Sequence, residues 1–253
     1  MIGVPNDTTN EARALLLLES LGYLKLKEDA GITATIRDIE ENPYGIEFKE
    51  VEAAQLPNVL QDLDFAVINS NYAIAAGIDP MEESLAHEGS GSAYANVLVV
   101  KEGNEEDPAI LALKAALESQ QVADFIAETY KGSVVSTVDE PTDGFNKDID
   151  YEALKGTKIT VAASPAPHKE ILEICKDILA EKEIKLDIQE FSDYIIPNNV
   201  VEDGSVMANY FQHVPYLDDF NAENKTHLVP VAAIHVEPMG IYGGKQTSLD
   251  VIK

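Results

Sequence analysis

Arg13 is one of only two arginines in the 253-residue sequence, and it lies near the predicted start of a helix. The first turn of a helix carries unpaired N–H groups and a partial positive charge, so a cation there costs a few tenths to about 1 kcal/mol. A bound anion would make the cation favourable at this position. Because Asn10 and Arg13 share a helix face, an amide, a guanidinium and the helix terminus could together hold one carboxylate. An ion pair with Glu11 or another nearby acid explains Arg13 equally well.

A second candidate feature is segment 209–217, where Tyr210, Phe211, His213 and Tyr216 concentrate rings in a chain with only 7% aromatic residues. Such a concentration suits an apolar pocket with a polar handle, although an internal packing cluster would look the same. His213 alone indicates neither a metal site nor a catalytic base, because no HExxH, CxxC or GxSxG motif accompanies it. We therefore expect no catalytic residue, no metal and no cofactor.

Polar residues also follow two predicted strands. Asn69 comes directly after the buried run 65–68, at the edge where open α/β sheets bind ligands. Tyr194 stands in the equivalent place after the strand predicted at 186–191. Asn69 could hydrogen-bond a ligand or simply form a turn, and Tyr194 could close a pocket wall or simply pack.

The elements that position these residues include two similar units, each a strand followed by a helix. Strand 2–5 precedes a helix at 11–26, and strand 159–161 precedes a helix at 170–181. Further strands are predicted at 65–68, 96–100, 186–191 and 228–236, with one long or two shorter helices over 107–130. Alternating strands and helices indicate an α/β fold with mostly parallel sheets. Residues 138–148 are rich in turn formers and predict a surface connection.

Composition narrows the possible partners. Eighteen basic and 45 acidic side chains give a net charge of −27, which argues against nucleic-acid binding. The single cysteine, Cys175, cannot form an internal disulfide. The sequence contains no apolar run long enough to span a membrane and does not start like a signal peptide, so a soluble, untargeted chain is expected.

Taken together, these motifs resemble the methionine-binding lipoproteins, which deliver substrate to an ABC transporter. The residues that carry the resemblance are TKITVAASPAPHKEIL at 157–172, FSDY at 191–194, NYFQHVPYL at 209–217, LVPVAAIHVEPMG at 228–240, PNDTTNEARAL at 5–15, VINSNYA at 67–73 and YANV at 94–97. The resemblance covers nearly the whole chain.

The order of the motifs differs from that of the family. A family member would begin near Lys158, run to about Lys253, continue into Ile2 and end near Gly132. The resemblance therefore implies a circular permutation, most simply an engineered one, with a linker at about 138–156. It implies a two-lobed periplasmic-binding-protein-like fold, with residues 1–92 in one lobe, 93–253 in the other, and one covalent crossing near residues 89–95. A single crossing predicts looser closure of the lobes.

The resemblance also implies a ligand and its contacts. L-methionine or a close analogue is expected in a cleft between the lobes, with Arg13 and Asn10 binding its carboxylate and Asn69 accepting from its ammonium. Tyr194, Phe211, His213 and Tyr216 would enclose the thioether. The unpermuted parent would have an ABC transporter permease as its partner, and the chain is expected to be a monomer.

Two other functions stay open at this point: a ligand-sensing module or scaffold with altered ligand preference, and an enzyme acting on an amino acid with His213 as base. Family members are extracytoplasmic and carry a lipidated cysteine after a signal peptide. This sequence shows neither feature, so a soluble protein is expected.

Overall fold

The computed structural model describes residues 1–89 and 94–253 and divides the chain into two compact units, each combining strands and helices. One unit comprises Met1–Ser92 with Pro238–Lys253, and the other Ala93–Glu237. The strands are β1 Ile2–Pro5, β2 Lys25–Leu26, β3 Ile39–Glu41, β4 Phe48–Val51, β5 Phe65–Ile68, β6 Ser84–His87, β7 Ala95–Lys101, β8 Val135–Ser136, β9 Lys158–Ala163, β10 Lys185–Glu190, β11 Ala208–His213, β12 Leu228–Val236 and β13 Gly240–Gly243.

The α-helices in the same residues are α1 Thr8–Ser20, α2 Leu56–Val59, α3 Ser70–Ala75, α4 Pro80–Glu83, α5 Pro108–Leu117, α6 Gln120–Tyr130, α7 Glu170–Ala180, α8 Ile196–Glu202 and α9 Val214–Asn224. The sequence predicted either one long helix or two shorter helices over residues 107–130, and the structure has two. Ser119 separates α5 from α6 and caps α6 by accepting a hydrogen bond from the Val122 N–H. Helix α6 ends at Tyr130 and is followed by left-handed Lys131 and by Gly132 at φ 106°, a common way for a helix to end.

The first unit is built on a five-stranded sheet in the order β4-β1-β5-β13-β6. Strand β1 runs parallel to β4 and β5, whereas β13 runs antiparallel to β5 and β6. The leucines of α1 pack with Ile2, Val4 and Ile241 into the core of this unit. Strand β1 lies so close to its neighbours that a Cβ on Gly3 would come within 2.6 Å of Leu63 Cδ1.

The second unit contains a six-stranded sheet in the order β10-β9-β11-β7-β12-β8. Strand β9 pairs in parallel with β10 and β11, but β7 pairs antiparallel with β11 and β12. Both large sheets are therefore mixed, and the expectation of mostly parallel sheets was wrong. Strands β7, β12 and β13 pair with partners far away in sequence, so the alternation of strands and helices does not fix their direction.

The predicted division of the chain into residues 1–92 and 93–253 was wrong for the C-terminal segment. Residues 238–253 were assigned to the lobe 93–253, but they belong to the first unit because β13 hydrogen-bonds between β5 and β6. The chain consequently passes between the units a second time, at Glu237–Pro238, so the single crossing was also wrong. The crossing expected near residues 89–95 lies largely outside the described residues. The argument for looser closure loses its basis, because a second connection exists.

The segment predicted as a surface connection does run along the surface of the second unit, but it is docked there. Thr142 pairs with Glu118 and Gln120 through two backbone hydrogen bonds of 3.0 and 2.8 Å. Gly144 adopts φ +90°, and a Cβ there would meet Ile178 Cγ2 at 2.9 Å. The rings of Phe145 and Tyr151 make an edge contact, with the Lys182 ammonium over Phe145.

Candidate functional site

The first group of predicted site residues is joined by a relay of amide hydrogen bonds in the first unit. Asp7 caps α1 and accepts from the Asn10 backbone N–H at 3.0 Å and from Asn10 Nδ2 at 2.8 Å. Asn10 Oδ1 in turn accepts from Asn69 Nδ2 at 2.8 Å. Because Asp7 acts as the acceptor at one end, both amides must orient with their nitrogens toward it.

The relay leaves Asn69 Oδ1 at its far end. Asn69 is 6% exposed, and among the described residues this oxygen is one of three buried side-chain polar atoms without a hydrogen-bond partner. A buried acceptor without a donor costs roughly 1 to 3 kcal/mol. Asn69 lies between β5 and α3, at the carboxyl end of the strand, as the sequence predicted. The arrangement presents an acceptor to any donor that reaches it.

Arg13 lies elsewhere on its helix than predicted. Helix α1 begins at Thr8, so Arg13 is its sixth residue and stands in the second turn. The prediction that Arg13 lies in the first turn was wrong, because Asp7 caps the helix three residues earlier than hydrophobic periodicity indicated. The dipole argument for a bound anion is weakened accordingly.

Arg13 nevertheless holds a carboxylate, which belongs to Glu88. Arg13 Nε lies 2.8 and 3.0 Å from the two Glu88 carboxylate oxygens, and Nη2 lies 2.6 Å from Oε2. The Met239 N–H donates to the same Oε2 at 2.9 Å. The alternative partner Glu11 instead accepts from the Ile36 N–H at 2.9 Å. Nothing in the local sequence signalled Glu88, which is 75 residues away from Arg13.

The second group of predicted residues forms an aromatic cluster in the second unit. Phe211, Tyr216 and Phe220 pack together, with Tyr194 against them. Ring centroids are 5.7 Å apart for Tyr194 and Phe211, and 5.6 Å apart for Tyr194 and Tyr216. The Tyr216 hydroxyl donates to the Tyr194 carbonyl oxygen at 3.0 Å. The structure thus brings the predicted aromatic residues together.

His213 ends β11 and caps α9. Its Nδ1 accepts from the Tyr216 N–H at 3.2 Å, and its ring makes an edge contact with Tyr94. A ring nitrogen that accepts from a backbone N–H is committed to capping, which argues against His213 as a general base.

One constellation that the sequence did not predict lies elsewhere in the second unit. His168, His235 and Glu237 are buried, and the atoms they could offer as ligands lie within 4.8 Å of one another. Burial lowers the pKa of His168 to about 3, so its imidazole is neutral at pH 7. His235 and Glu237 are two residues apart, but His168 lies far from both in the sequence, so no local spacing joins the three.

These features define an α/β protein of two units. One unit contains an unpartnered acceptor, Asn69 Oδ1, and an arginine that holds a carboxylate; the other contains an aromatic cluster. A family described as NlpA lipoprotein matches residues 1–138 and 159–253, and the chain belongs to that family. Family membership confirms the resemblance inferred from the motifs.

Individual relatives are also similar to this chain in sequence. Membrane lipoprotein TpN32 of Treponema pallidum is 46% identical over 136 residues, covering 54% of this chain and 51% of the relative. A probable D-methionine-binding lipoprotein MetQ of Vibrio cholerae is 42% identical over 134 residues, covering 53% and 50%. The chain thus matches about half the length of these curated relatives.

Solved structures support the fold. A nutrient-binding protein from Burkholderia cenocepacia bound to methionine shares 45% identity and a TM-score of 0.53, over 54% of this chain and 58% of that one. A lipoprotein from Ruminococcus gnavus shares 49% identity and a TM-score of 0.52, over 53% and 57%. The expected binding-protein fold is confirmed. Among the described residues, no helix is long and apolar enough to cross a membrane.

Proposed function

We propose that this chain binds a free amino acid, L-methionine or a close analogue, as the substrate-binding component of an ABC importer. Membership in the NlpA lipoprotein family supports the proposal. So do relatives described as bound to methionine or named for D-methionine binding.

The observation that carries the proposal is the unpartnered acceptor of Asn69. An amino acid brings an ammonium donor, and a charged hydrogen bond to Asn69 Oδ1 would contribute about 1.5 to 3 kcal/mol. The cost of burying that oxygen in the free protein would be offset at the same moment. The relay from Asp7 supports this role because it fixes which end of the amide faces the ligand.

Arg13 and Asn10 are proposed to receive the ligand's α-carboxylate. The contacts to Glu88 support the geometry, because two guanidinium nitrogens already hold a carboxylate there. A ligand carboxylate would share the guanidinium with Glu88 or displace it.

Tyr194, Phe211, His213 and Tyr216 are proposed to enclose the thioether. Contacts between sulfur and aromatic rings contribute about 0.3 to 1.5 kcal/mol each. That this group and the polar group of the first unit meet on one ligand stays a prediction.

We further propose that the chain is a circular permutant of its family. The family match falls in two blocks on either side of residues 139–158, and each curated relative aligns over only about half its length. A permuted order explains both facts, since an alignment that runs in one direction can follow only one block. A chain rearranged to carry residues 159–253 before 1–138 should fold and bind the same ligand; failure of the folded rearranged chain to bind would contradict the permutation.

The test of the ligand is calorimetric titration of the refolded, ligand-stripped protein. We expect L-methionine to bind with Kd below about 1 µM, or about −8 kcal/mol. N-acetyl-L-methionine keeps the carboxylate and thioether but lacks the ammonium, and should bind at least about 10-fold more weakly. Asn69→Ala should weaken L-methionine binding by a similar factor, whereas the exposed Asn58→Ala should not. Absence of heat with the folded protein would overturn the proposal.

A further inference from the structure

The buried cluster of His168, His235 and Glu237 lies wholly within the second unit and includes none of the residues assigned to the amino-acid ligand. His235 is in β12, and Glu237 follows immediately after the end of that strand. His168 comes from the kinked π-helical turn Pro165–Lys169 between β9 and α7. Asn96 of β7 is the cross-strand partner of His235.

The potential ligand atoms of this cluster converge. Glu237 Oε1 lies 2.8 Å from His235 Nε2 and 3.3 Å from His168 Nε2. Asn96 Oδ1 lies 2.9 Å from His168 Nε2. In a tetrahedral zinc site with bonds of about 2.0 to 2.2 Å, neighbouring ligand atoms are about 3.3 Å apart. These three separations therefore lie within about 0.5 Å of the spacing in a tetrahedral site.

The other nitrogen of each imidazole is held by a hydroxyl group. His168 Nδ1 lies 2.6 Å from Ser164 Oγ, and His235 Nδ1 is hydrogen-bonded to the Tyr210 hydroxyl. A hydroxyl can donate or accept, so each ring can move its proton from Nε2 to Nδ1 and keep its partner. Metal-binding histidines almost always carry such an outer hydrogen bond, which fixes ring orientation and tautomer.

We propose that His168, His235 and Glu237 form a site for a divalent transition-metal ion of the zinc type, with Asn96 Oδ1 as a fourth, weaker oxygen ligand. Two imidazoles and one carboxylate form a recurrent zinc set, and imidazole disfavours Mg²⁺ and Ca²⁺. Because all four side chains are buried, the site is a structural clamp that joins β7, β12 and the turn before α7.

The first test is metal uptake by the whole chain. Because the site is buried, the chelator-treated protein is unfolded in guanidinium and refolded with one equivalent of Co²⁺ or Zn²⁺. We expect one ion per chain after dialysis, visible Co²⁺ bands of tetrahedral intensity that Zn²⁺ abolishes, and a higher Tm for the zinc-loaded protein. Folded protein that retains no ion, or Co²⁺ with the weak bands of octahedral coordination, would overturn the proposal and leave the cluster as a hydrogen-bonded network.

The second test locates the ion. His168→Gln and His235→Gln should each abolish the tetrahedral bands, whereas His227→Gln, at an exposed histidine, should leave them unchanged. Tyr210→Phe removes only the outer hydrogen bond to His235 and should weaken binding about 10- to 100-fold while the band positions persist. Bands that survive both ligand substitutions would contradict the assignment. If those variants fail to fold, the Tyr210→Phe shift in affinity decides. Methionine binding is measured separately, so the two proposals can fail independently.

Discussion

Arg13 and Glu88 form a two-nitrogen ion pair inside one unit, with side-chain exposures of only 4% and 16% and a shortest separation of 2.6 Å. The Met239 N–H completes the set of donors around the Glu88 carboxylate. The pair therefore connects helix α1, the end of β6 and the residue preceding β13. Two consequences follow, one for stability and one for binding.

Removing either partner should destabilise the protein strongly. Arg13→Ala or Glu88→Ala removes one half of a largely buried ion pair, and we expect each to lower the free energy of unfolding by about 3 to 5 kcal/mol. The double variant should lose much less than the sum of the two single losses. Urea unfolding of the four chains measures the coupling energy. The exposed pair of Lys158 and Asp187 is the matched control, with an expected coupling of about 0 to 1 kcal/mol.

Ligand affinity should depend on the guanidinium rather than on positive charge alone. Arg13→Lys keeps the charge but cannot present a planar fork, so L-methionine binding should weaken at least about 10-fold. Arg37→Lys, at the other arginine, should leave affinity unchanged. Titration calorimetry measures both. Equal affinities of the Arg13→Lys and wild-type proteins would exclude Arg13 as the carboxylate anchor.

The aromatic cluster should favour a ligand whose side chain contains sulfur over one with a methylene group in its place. Phe211→Leu keeps an apolar side chain but removes the ring, so it should reduce the preference for L-methionine over L-norleucine by up to about 10-fold. Phe125→Leu, in α6, removes a ring in contact with Tyr130 and should leave the preference intact. Competition binding of the two amino acids gives the ratio directly. A ratio that changes equally in both variants would assign no special role to Phe211.

Asp7 should make stability depend on pH in an unusual direction. Burial raises the pKa of the Asp7 carboxyl above 3.8, against the opposing hydrogen bonds from Asn10. The folded chain then holds this proton more tightly than the unfolded chain, so the charged carboxylate destabilises the protein above the raised pKa, and this penalty disappears below pH 3.8. Asp7→Asn keeps an acceptor for the Asn10 N–H, and should be more stable than wild type at pH 7 but equal to it at low pH.

Asp38 provides a control of opposite sign for that experiment. The Thr35 N–H and the Lys27 ammonium lower the pKa of the Asp38 carboxyl, so its contribution is present above pH 3.8 and is lost as the pH falls through the lowered pKa. Asp38→Asn should therefore be less stable than wild type at pH 7. Urea unfolding across pH measures both variants, and a common sign would contradict the assignment for Asp7.

The sequence predicted the parts of this structure that depend on local pattern. Strand β5, buried along its whole length, and the position of Asn69 just beyond it followed from an apolar run and the rule for strand ends. The start of α1 was missed by three residues, because the apolar periodicity begins after the polar turn in which Asp7 caps the helix. An aspartate three residues before Asn10 was the available signal.

Pairings between segments far apart in the sequence could not be predicted from local sequence patterns. The place of β13 between β5 and β6 depends on pairings across about 150 to 180 residues, and no periodicity near Gly240 predicts them. The same holds for Glu88 beside Arg13 and for His168 beside Glu237. Aromatic packing around Phe211 could be predicted because its members lie close together in the sequence. The sequence could not predict whether those rings face a ligand.

The relay from Asp7 through Asn10 to Asn69 gives the proposed binding site a fixed polarity. With both amide nitrogens turned toward Asp7, the atom opposite Asn69 Oδ1 must carry a hydrogen. An amino acid satisfies that condition through its ammonium. The 2-keto acid that transamination makes from the same amino acid would bring a carbonyl oxygen to that position, where two lone pairs repel. The proposed site would therefore accept the amino acid and reject the keto acid, although the two have the same carbon skeleton and the same carboxylate.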